Sequence, residues 1–266
     1  MSVFEAIILG IVQGIGEFLP ISSSGHLLLL QRFFGIEENL LTFNVVVHVG
    51  TLVPVLWIYG HRLKGLIQKP FQKLTGLLMV GTLPAVGVAL FLDDWVDRAF
   101  SGNYLAVGFL ITALFLFIID MKPRDKGEVR ALKAMTYVDA GVIGLIQAVA
   151  IAPGISRSGS TIFGGVIRGL DKQSAADFAF LLAIPAIAGA TVLEVFALLG
   201  RERLVTEAVI SAPFVAGFFV AMGVGYVSIK LMLRLVVQAR LRYFAYYLMV
   251  LSGVIVAESY LFERIF

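Results

Sequence analysis

A greasy chain that is broken twice in the same way, half its length apart, has few folds open to it. The first break reads Gly10-Ile-Val-Gln13-Gly-Ile-Gly-Glu17-Phe-Leu-Pro20-Ile-Ser22-Ser23-Ser24-Gly25-His26, and the second reads Gly144-Leu-Ile-Gln147-Ala-Val-Ala-Ile-Ala-Pro153-Gly154-Ile-Ser156-Arg157-Ser158-Gly159-Ser160-Thr161. At an offset of 134, Gly10, Gln13, Ile21, Ser22, Ser24 and Gly25 fall on Gly144, Gln147, Ile155, Ser156, Ser158 and Gly159. Each copy starts apolar, stops at Pro20 or at Pro153-Gly154, and resumes as a second short apolar piece after its Ser/Gly cluster. Proline removes a backbone donor and glycine weakens a helix, so such a run at membrane depth survives only inside protein or against a wet cavity. The pattern predicts two hairpins of half-helices, over about 3–35 and 138–170, with a kinked full span as the alternative.

The solvent follows from composition. With 59% hydrophobic and 15% charged residues and a mean hydropathy of +0.94, the chain is a polytopic membrane protein, and a soluble fold is excluded. Six further apolar runs, about 41–60, 74–92, 103–120, 175–199, 209–233 and 243–262, are long enough to cross a bilayer as helices. The expectation is an all-α polytopic membrane protein in one integral domain, built from repeat 1 (1–134) and repeat 2 (135–266), each a re-entrant hairpin plus three spans.

Loop charge tests the re-entrant reading, because basic loops stay cytoplasmic. If both hairpins return to the side they entered, residues 61–73, 121–137, 168–174 and 230–242 share one side and hold 15 of the 21 Lys and Arg. Arg32, Arg98, Arg201, Arg203 and Arg264 take the other side, and Arg157 sits inside a motif. Both termini are then outside and the halves are inverted, an arrangement that places a ligand site at the ends of broken helices near the midplane. The net charge of +3 is absorbed by this topology and does not imply nucleic acid. The N-terminal apolar run lacks a basic leader and reads as part of the mature chain. Without cysteine there is neither a disulfide nor a thiolate metal site. Trp57, Tyr59, Trp95 and Tyr104 near the boundaries read as an aromatic belt.

The polar residues of the two breaks carry the chemistry. Gln13 and Glu17, four apart, share a helix face. A carboxylate at this depth needs a partner: either it pairs with Arg157 and pins the hairpins together, or it holds a divalent cation such as Mg²⁺. Ser22 or Ser23 can reach His26 across one turn, the pairing of an activated nucleophile with its base, while one of the serines caps the half-helix. Arg157, flanked by Ser156, Ser158, Ser160 and Thr161 before a helix expected to start near Gly159, reads as a phosphate cradle without a Walker pattern. His48 is read as a packed, hydrogen-bonded histidine peripheral to the site, with a second acid/base or ligand role as the alternative, and Asp177 and Glu194 are read as structural.

The two motifs together resemble the signature regions of the bacitracin-resistance family of undecaprenyl-diphosphate phosphatases, and the similarity in length and hydropathy runs over essentially the whole chain. The resemblance implies an enzyme of the bacterial plasma membrane that converts undecaprenyl diphosphate to the monophosphate and inorganic phosphate, recycling the carrier lipid of peptidoglycan synthesis and conferring bacitracin resistance. It implies functional positions at Gln13, Glu17, Ser22, Ser23, His26, Ser156, Arg157 and Thr161. Glu17 would hold Mg²⁺ or Ca²⁺, with Gln13 standing where other members carry a second carboxylate. The polyprenyl diphosphate would enter a site open to the outer face. A homodimer is left open. Phosphatidic-acid-phosphatase relatives are excluded, because Phe163 stands where their second histidine belongs and no basic-Pro motif precedes Ser24. The remaining alternative is a transporter or flippase for a lipid phosphate or organic anion, which inverted broken helices also suit.

Overall fold

In a computed structural model of the chain, which describes residues 1–36, 40–92, 95, 104–122, 129–198, 210–238 and 240–261, helices carry the fold and no strand occurs among the described residues. The first broken segment is α1 (Val3–Gly16) and α2 (Ser23–Phe33), followed by α3 (Leu40–Ile58), α4 (Gly60–Gln68), α5 (Lys73–Phe91) and α6 (Leu105–Met121). The second is α7 (Tyr137–Val149) and α8 (Arg157–Ile167), followed by α9 (Lys172–Leu198), α10 (Ala212–Val237) and α11 (Arg242–Leu261). Each of the six expected apolar runs holds one of these helices. By length and apolarity α5, α9 and α10 can each cross a membrane, and α3 with α4, bent by 78° at the break between them, makes a fourth candidate. The chain is thus an all-helical polytopic membrane protein.

The helix starts extend the internal likeness beyond the motifs. Ser2 and Glu5 form a capping box on α1, and Thr136 and Asp139 form one on α7, again 134 residues apart. In each, the hydroxyl accepts the N–H three residues on and the carboxylate accepts the cap N–H, so two orphan donors are satisfied at once. Asp139 does more than its counterpart. It is fully buried and receives Arg130 at 2.9 Å and Arg168 at 2.8 Å. The Arg130 N–H donates to the Gly169 carbonyl and the Asp171 N–H to the Arg130 carbonyl, tying the segment before α7 to the end of α8.

Packing crosses between the halves. α1 lies on α10 and α7 on α5, while α3 meets α9 and α6 meets α11. Small residues set the first two contacts: a Cβ added at Gly10 would lie 2.7 Å from the Gly217 carbonyl oxygen, and one at Gly144 would lie 2.5 Å from that of Gly81. Lipid tails are as apolar as leucine, so helices in a bilayer associate by close backbone approach of this kind. The turns of the two broken segments also touch, since a Cβ at Gly25 would lie 2.8 Å from the Gly154 nitrogen and one at Gly159 would lie 3.3 Å from Pro20 Cβ.

One expectation changes. Tyr59 is no belt residue: it is 5% exposed and donates to Asp177, which also pairs with Arg62 at 2.9 Å, whereas Trp57 is 78% exposed. Tyr59 thereby joins Arg62 and Gln173 as a donor to the half-buried Asp177 carboxylate. Arg98, Arg201, Arg203 and Arg264, and the side chain of Glu194, lie outside the described residues.

Gly144→Ala gains about 1 kcal/mol of helix propensity but costs about 1–3 kcal/mol of overpacking against backbone that cannot move aside. Its melting temperature in detergent should fall, while Gly87→Ala, where no atom lies within 4 Å of the added methyl, should hold or raise it.

Candidate active site

Glu17 caps the C-terminus of α1, with its N–H bonded to the Gln13 carbonyl, so its carboxylate hangs where the helix gives way to the turn. The carboxylate is 6% exposed, and both of its oxygens accept hydrogen bonds. Its Oε1 accepts Arg157 Nη2 at 2.6 Å, and its Oε2 accepts Ser23 Oγ at 2.8 Å and Gln13 Nε2 at 3.1 Å. Arg157, one of the two partners open to Glu17 from sequence, is in direct contact with it. The pair joins residues 140 apart and ties one turn to the other.

Ser22, the N-cap of α2, holds φ at +70°, the only positive φ on a non-glycine among the described residues. A backbone held there costs about 1–3 kcal/mol and needs surroundings that over-determine it. They do so here: Ser22 Oγ accepts the Gly154 N–H at 3.1 Å from the opposite turn and the Gly25 N–H at 3.4 Å from its own helix. Ser24 Oγ lies 3.4 Å from Ser22 Oγ.

The expected pairing of His26 with a serine hydroxyl is not formed. His26 Nδ1 lies 2.8 Å from the Ser22 carbonyl oxygen, one helical turn back, and Nε2 lies 2.8 Å from the Tyr247 hydroxyl on α11. The Phe109 ring packs edge-on against the imidazole. The sequence spacing brings His26 over Ser22 correctly, but it is the backbone oxygen that meets the ring, because the Ser22 hydroxyl is drawn to the Gly154 N–H.

The second turn is built differently from the spacing expectation. α8 starts at Arg157, two residues before Gly159, because the Ser156 hydroxyl caps it by accepting the Gly159 N–H at 3.1 Å. Arg157 is therefore the first residue of a helix rather than part of a loop. Ser156 Oγ also meets Ser158 Oγ at 3.1 Å, and Ser158 Oγ donates to the Leu19 carbonyl at 3.4 Å, a further tie between the turns. Thr161 turns inward, its hydroxyl bonded to the Arg157 and Ser158 carbonyls of its own helix. Ser160 Oγ is buried without a partner. The second-half copy of Gln13, Gln147, has no carboxylate beside it: it donates to the Gly81 carbonyl at 3.3 Å, and Ile151 stands where Glu17 would be.

Two atoms at the centre are left over. Arg157 Nη1 and Gln13 Oε1 are buried and have no hydrogen-bond partner. Each belongs to a group whose other end is bound to Glu17, so an unspent donor and an unspent acceptor flank one carboxylate.

Three contributors escaped the sequence reading. His48, read there as a peripheral histidine, does bond the Asn44 carbonyl through Nδ1 at 2.7 Å, but its Nε2 faces Glu17 Oε2 at 3.7 Å. The signal was present: Asn44, His48 and Thr51 form a polar stripe on an otherwise apolar helix. Thr112 on α6 accepts the Ser156 N–H at 2.9 Å and donates to the Gly154 carbonyl at 2.8 Å, filling two backbone valences that the broken helix opens. Tyr247 had no local signal.

Fold and site together define a polytopic helical membrane protein whose two helix breaks meet around a buried carboxylate, a guanidinium and a cluster of hydroxyls. Residues 6–254 match the family model described as bacitracin resistance protein BacA, and the chain belongs to that family. It is 44% identical over 253 residues to the undecaprenyl-diphosphatase of Carboxydothermus hydrogenoformans, covering 95% of both chains. It is 40% identical over 261 residues to undecaprenyl-diphosphatase 4 of Bacillus thuringiensis strain Al Hakam, covering 98% of each. The undecaprenyl-diphosphatase of Treponema denticola is 37% identical over 266 residues, covering 95% of this chain and 96% of that one.

Thr112→Val keeps the shape and leaves the Ser156 N–H and the Gly154 carbonyl unpaired, at about 1–3 kcal/mol for each buried group. Stability should fall, and the position of Arg157 should loosen. Thr112→Ser, which restores the hydroxyl, should recover most of the loss in detergent melting and in turnover.

Proposed function

We propose that the chain hydrolyses undecaprenyl diphosphate to undecaprenyl phosphate and inorganic phosphate, with the two turns as its active site. Membership of a family whose relatives carry that name supports the substrate. The observation that carries the chemistry is the Arg157 guanidinium, with one nitrogen on Glu17 and another buried and unspent beside the Ser23 hydroxyl's own partner. A planar fork of donors at a helix N-terminus suits the terminal phosphate of a diphosphate.

Ser23 is the residue best placed to attack, since its hydroxyl already donates to Glu17 at 2.8 Å. As Ser23 Oγ bonds to the terminal phosphorus, its proton passes through the Glu17 carboxylate to the departing lipid monophosphate, and the bridging P–O bond breaks. Water then cleaves the seryl phosphate to inorganic phosphate and restores the hydroxyl. Arg157 stabilises the charge that gathers on the transferring group, usually the largest contribution in phosphoryl transfer. His26, fixed between the Ser22 carbonyl and Tyr247, holds the strained turn that presents Ser23 and takes no proton from a serine. Ser156 and Ser158 shape the cradle beside Arg157, and Thr161 holds the first turn of α8.

A divalent cation, Mg²⁺ or Ca²⁺, suits the donors present. The Gln13 carbonyl oxygen is buried without a partner beside Glu17, and amide and carboxylate oxygens are ligands for hard cations. When bound, the ion would neutralise diphosphate oxygens. Among the described residues no group of three or more His, Cys, Asp or Glu gathers, so substrate oxygens and water would complete the ion's shell.

The wider architecture belongs to the same reading. The matched capping boxes, the Gly10 and Gly144 contacts and the crossed packing of α1 on α10 and α7 on α5 support an inverted repeat of two re-entrant hairpins and six spans. With the basic loops in the cytoplasm of the bacterial inner membrane, both termini lie outside. In this reading the Arg130–Asp139–Arg168 cluster lies at the cytoplasmic end of the second hairpin, and the site opens to the outer face.

Purified protein in neutral detergent should release phosphate from undecaprenyl diphosphate, and EDTA should stop it. Arg157→Ala and Glu17→Gln should each lose about 100-fold or more in turnover, and Ser23→Ala should abolish it. A folded wild type that binds the lipid without releasing phosphate would make the chain a carrier.

A further inference from the structure

His48 stands within ion-pair range of Glu17 but beyond hydrogen-bond distance, and its orientation suits a metal ligand as well as a counter-ion. Its Nδ1 is 2.7 Å from the Asn44 carbonyl oxygen, which only accepts, so Nδ1 carries the hydrogen and the ring presents Nε2 to Glu17. Asn44 is held in turn by Gln31, whose amide donates to its Oδ1 at 2.8 Å. A backbone-bonded Nδ1 with Nε2 directed inward is how a ligating histidine is oriented from behind. The separation of Nε2 from Glu17 Oε2 is 3.7 Å, too long for a hydrogen bond. It matches two neighbours in one coordination sphere, which lie about 3–4 Å apart when each bond is about 2.0–2.2 Å. A third donor stands beside them, the Gln13 carbonyl oxygen, buried and without a partner, on an amide whose nitrogen touches the same Glu17 oxygen. The His48 side chain is 27% exposed.

We propose that His48 Nε2 is a ligand of the catalytic cation, completing a site with Glu17 and Gln13, in a chain that has a glutamine where a second carboxylate could stand. This rests on the cation reading above and deepens it. One imidazole among oxygen donors shifts the metal preference away from Ca²⁺ and towards Mn²⁺ and its neighbours, which take nitrogen readily.

The test is pulsed EPR on Mn²⁺ added to the full-length protein in neutral detergent, without lipid substrate. The wild type should show ¹⁴N coupling from a directly bound imidazole. His48→Gln should lose it and bind Mn²⁺ at least tenfold more weakly, while His26→Gln and His61→Gln should keep it. Those are the chain's three histidines, so if His48→Gln does not fold, coupling retained in the His26→Gln/His61→Gln double variant assigns it to His48. Wild type that shows no nitrogen coupling, or coupling that survives His48→Gln, overturns the proposal. Phosphate release from the same preparation with Mg²⁺ is scored separately, so a failure of the phosphatase reading is distinguishable from a failure of His48.

Discussion

The buried pair between Glu17 and Arg157 is the contact on which the site's geometry depends. Taking both charges out of water is costly, and their attraction repays it only when geometry is good and the remaining valences are filled. Glu17 meets that condition, with a 2.6 Å contact to the guanidinium and with Ser23 and Gln13 on its other oxygen. Arg157 does not meet it alone, and the nitrogen it leaves unspent is the one that suits a phosphate. Stability and chemistry therefore draw on one pair of side chains: the fold places a positive charge where substrate charge will arrive, and holds it there with a carboxylate.

Around that pair, the constraint is that nothing in hydrocarbon can leave a backbone group unbonded. Two broken helices open several such groups, and each turn is satisfied largely by the other or by a neighbouring helix. The Gly154 N–H goes to the Ser22 hydroxyl, the Leu19 carbonyl takes Ser158, and the Gly154 carbonyl and Ser156 N–H both go to Thr112. The serines that look from sequence like a row of nucleophiles are thus mostly committed to holding the turns. Ser23, whose hydroxyl goes to a carboxylate rather than to backbone, stands apart. A divided role follows, with one hydroxyl for chemistry and its neighbours for scaffolding, and the strain at Ser22 lies between them.

Much of this was legible because it is local. Pro20 and Pro153-Gly154 mark the breaks, the Gln13 to Glu17 spacing puts both on one face, and Arg157 stands alone in an apolar stretch, so its importance needs no structure. Partners from distant elements were not legible. Tyr247 reaches His26 across 221 residues and Thr112 reaches Ser156 across 44, and no spacing rule registers either. His48 lies between these cases: its stripe with Asn44 and Thr51 was visible, but only the packing of α3 against α1 shows that the stripe faces a carboxylate. The start of α8 was misplaced because a serine cap competes with a glycine, and the capping hydroxyl won.

Whether the two turns are truly joined through their charges is best read from a double-mutant cycle on folding. Unfolding free energies of wild type, Glu17→Gln, Arg157→Gln and the double variant would be measured by SDS titration in mixed micelles. Each single change strands a buried charge, so the double variant should lose less than the two singles combined, with a coupling of about 1–3 kcal/mol. Losses that add to within about 0.5 kcal/mol would show that Glu17 and Arg157 act independently, and the hairpins would then be held together by their backbone contacts alone.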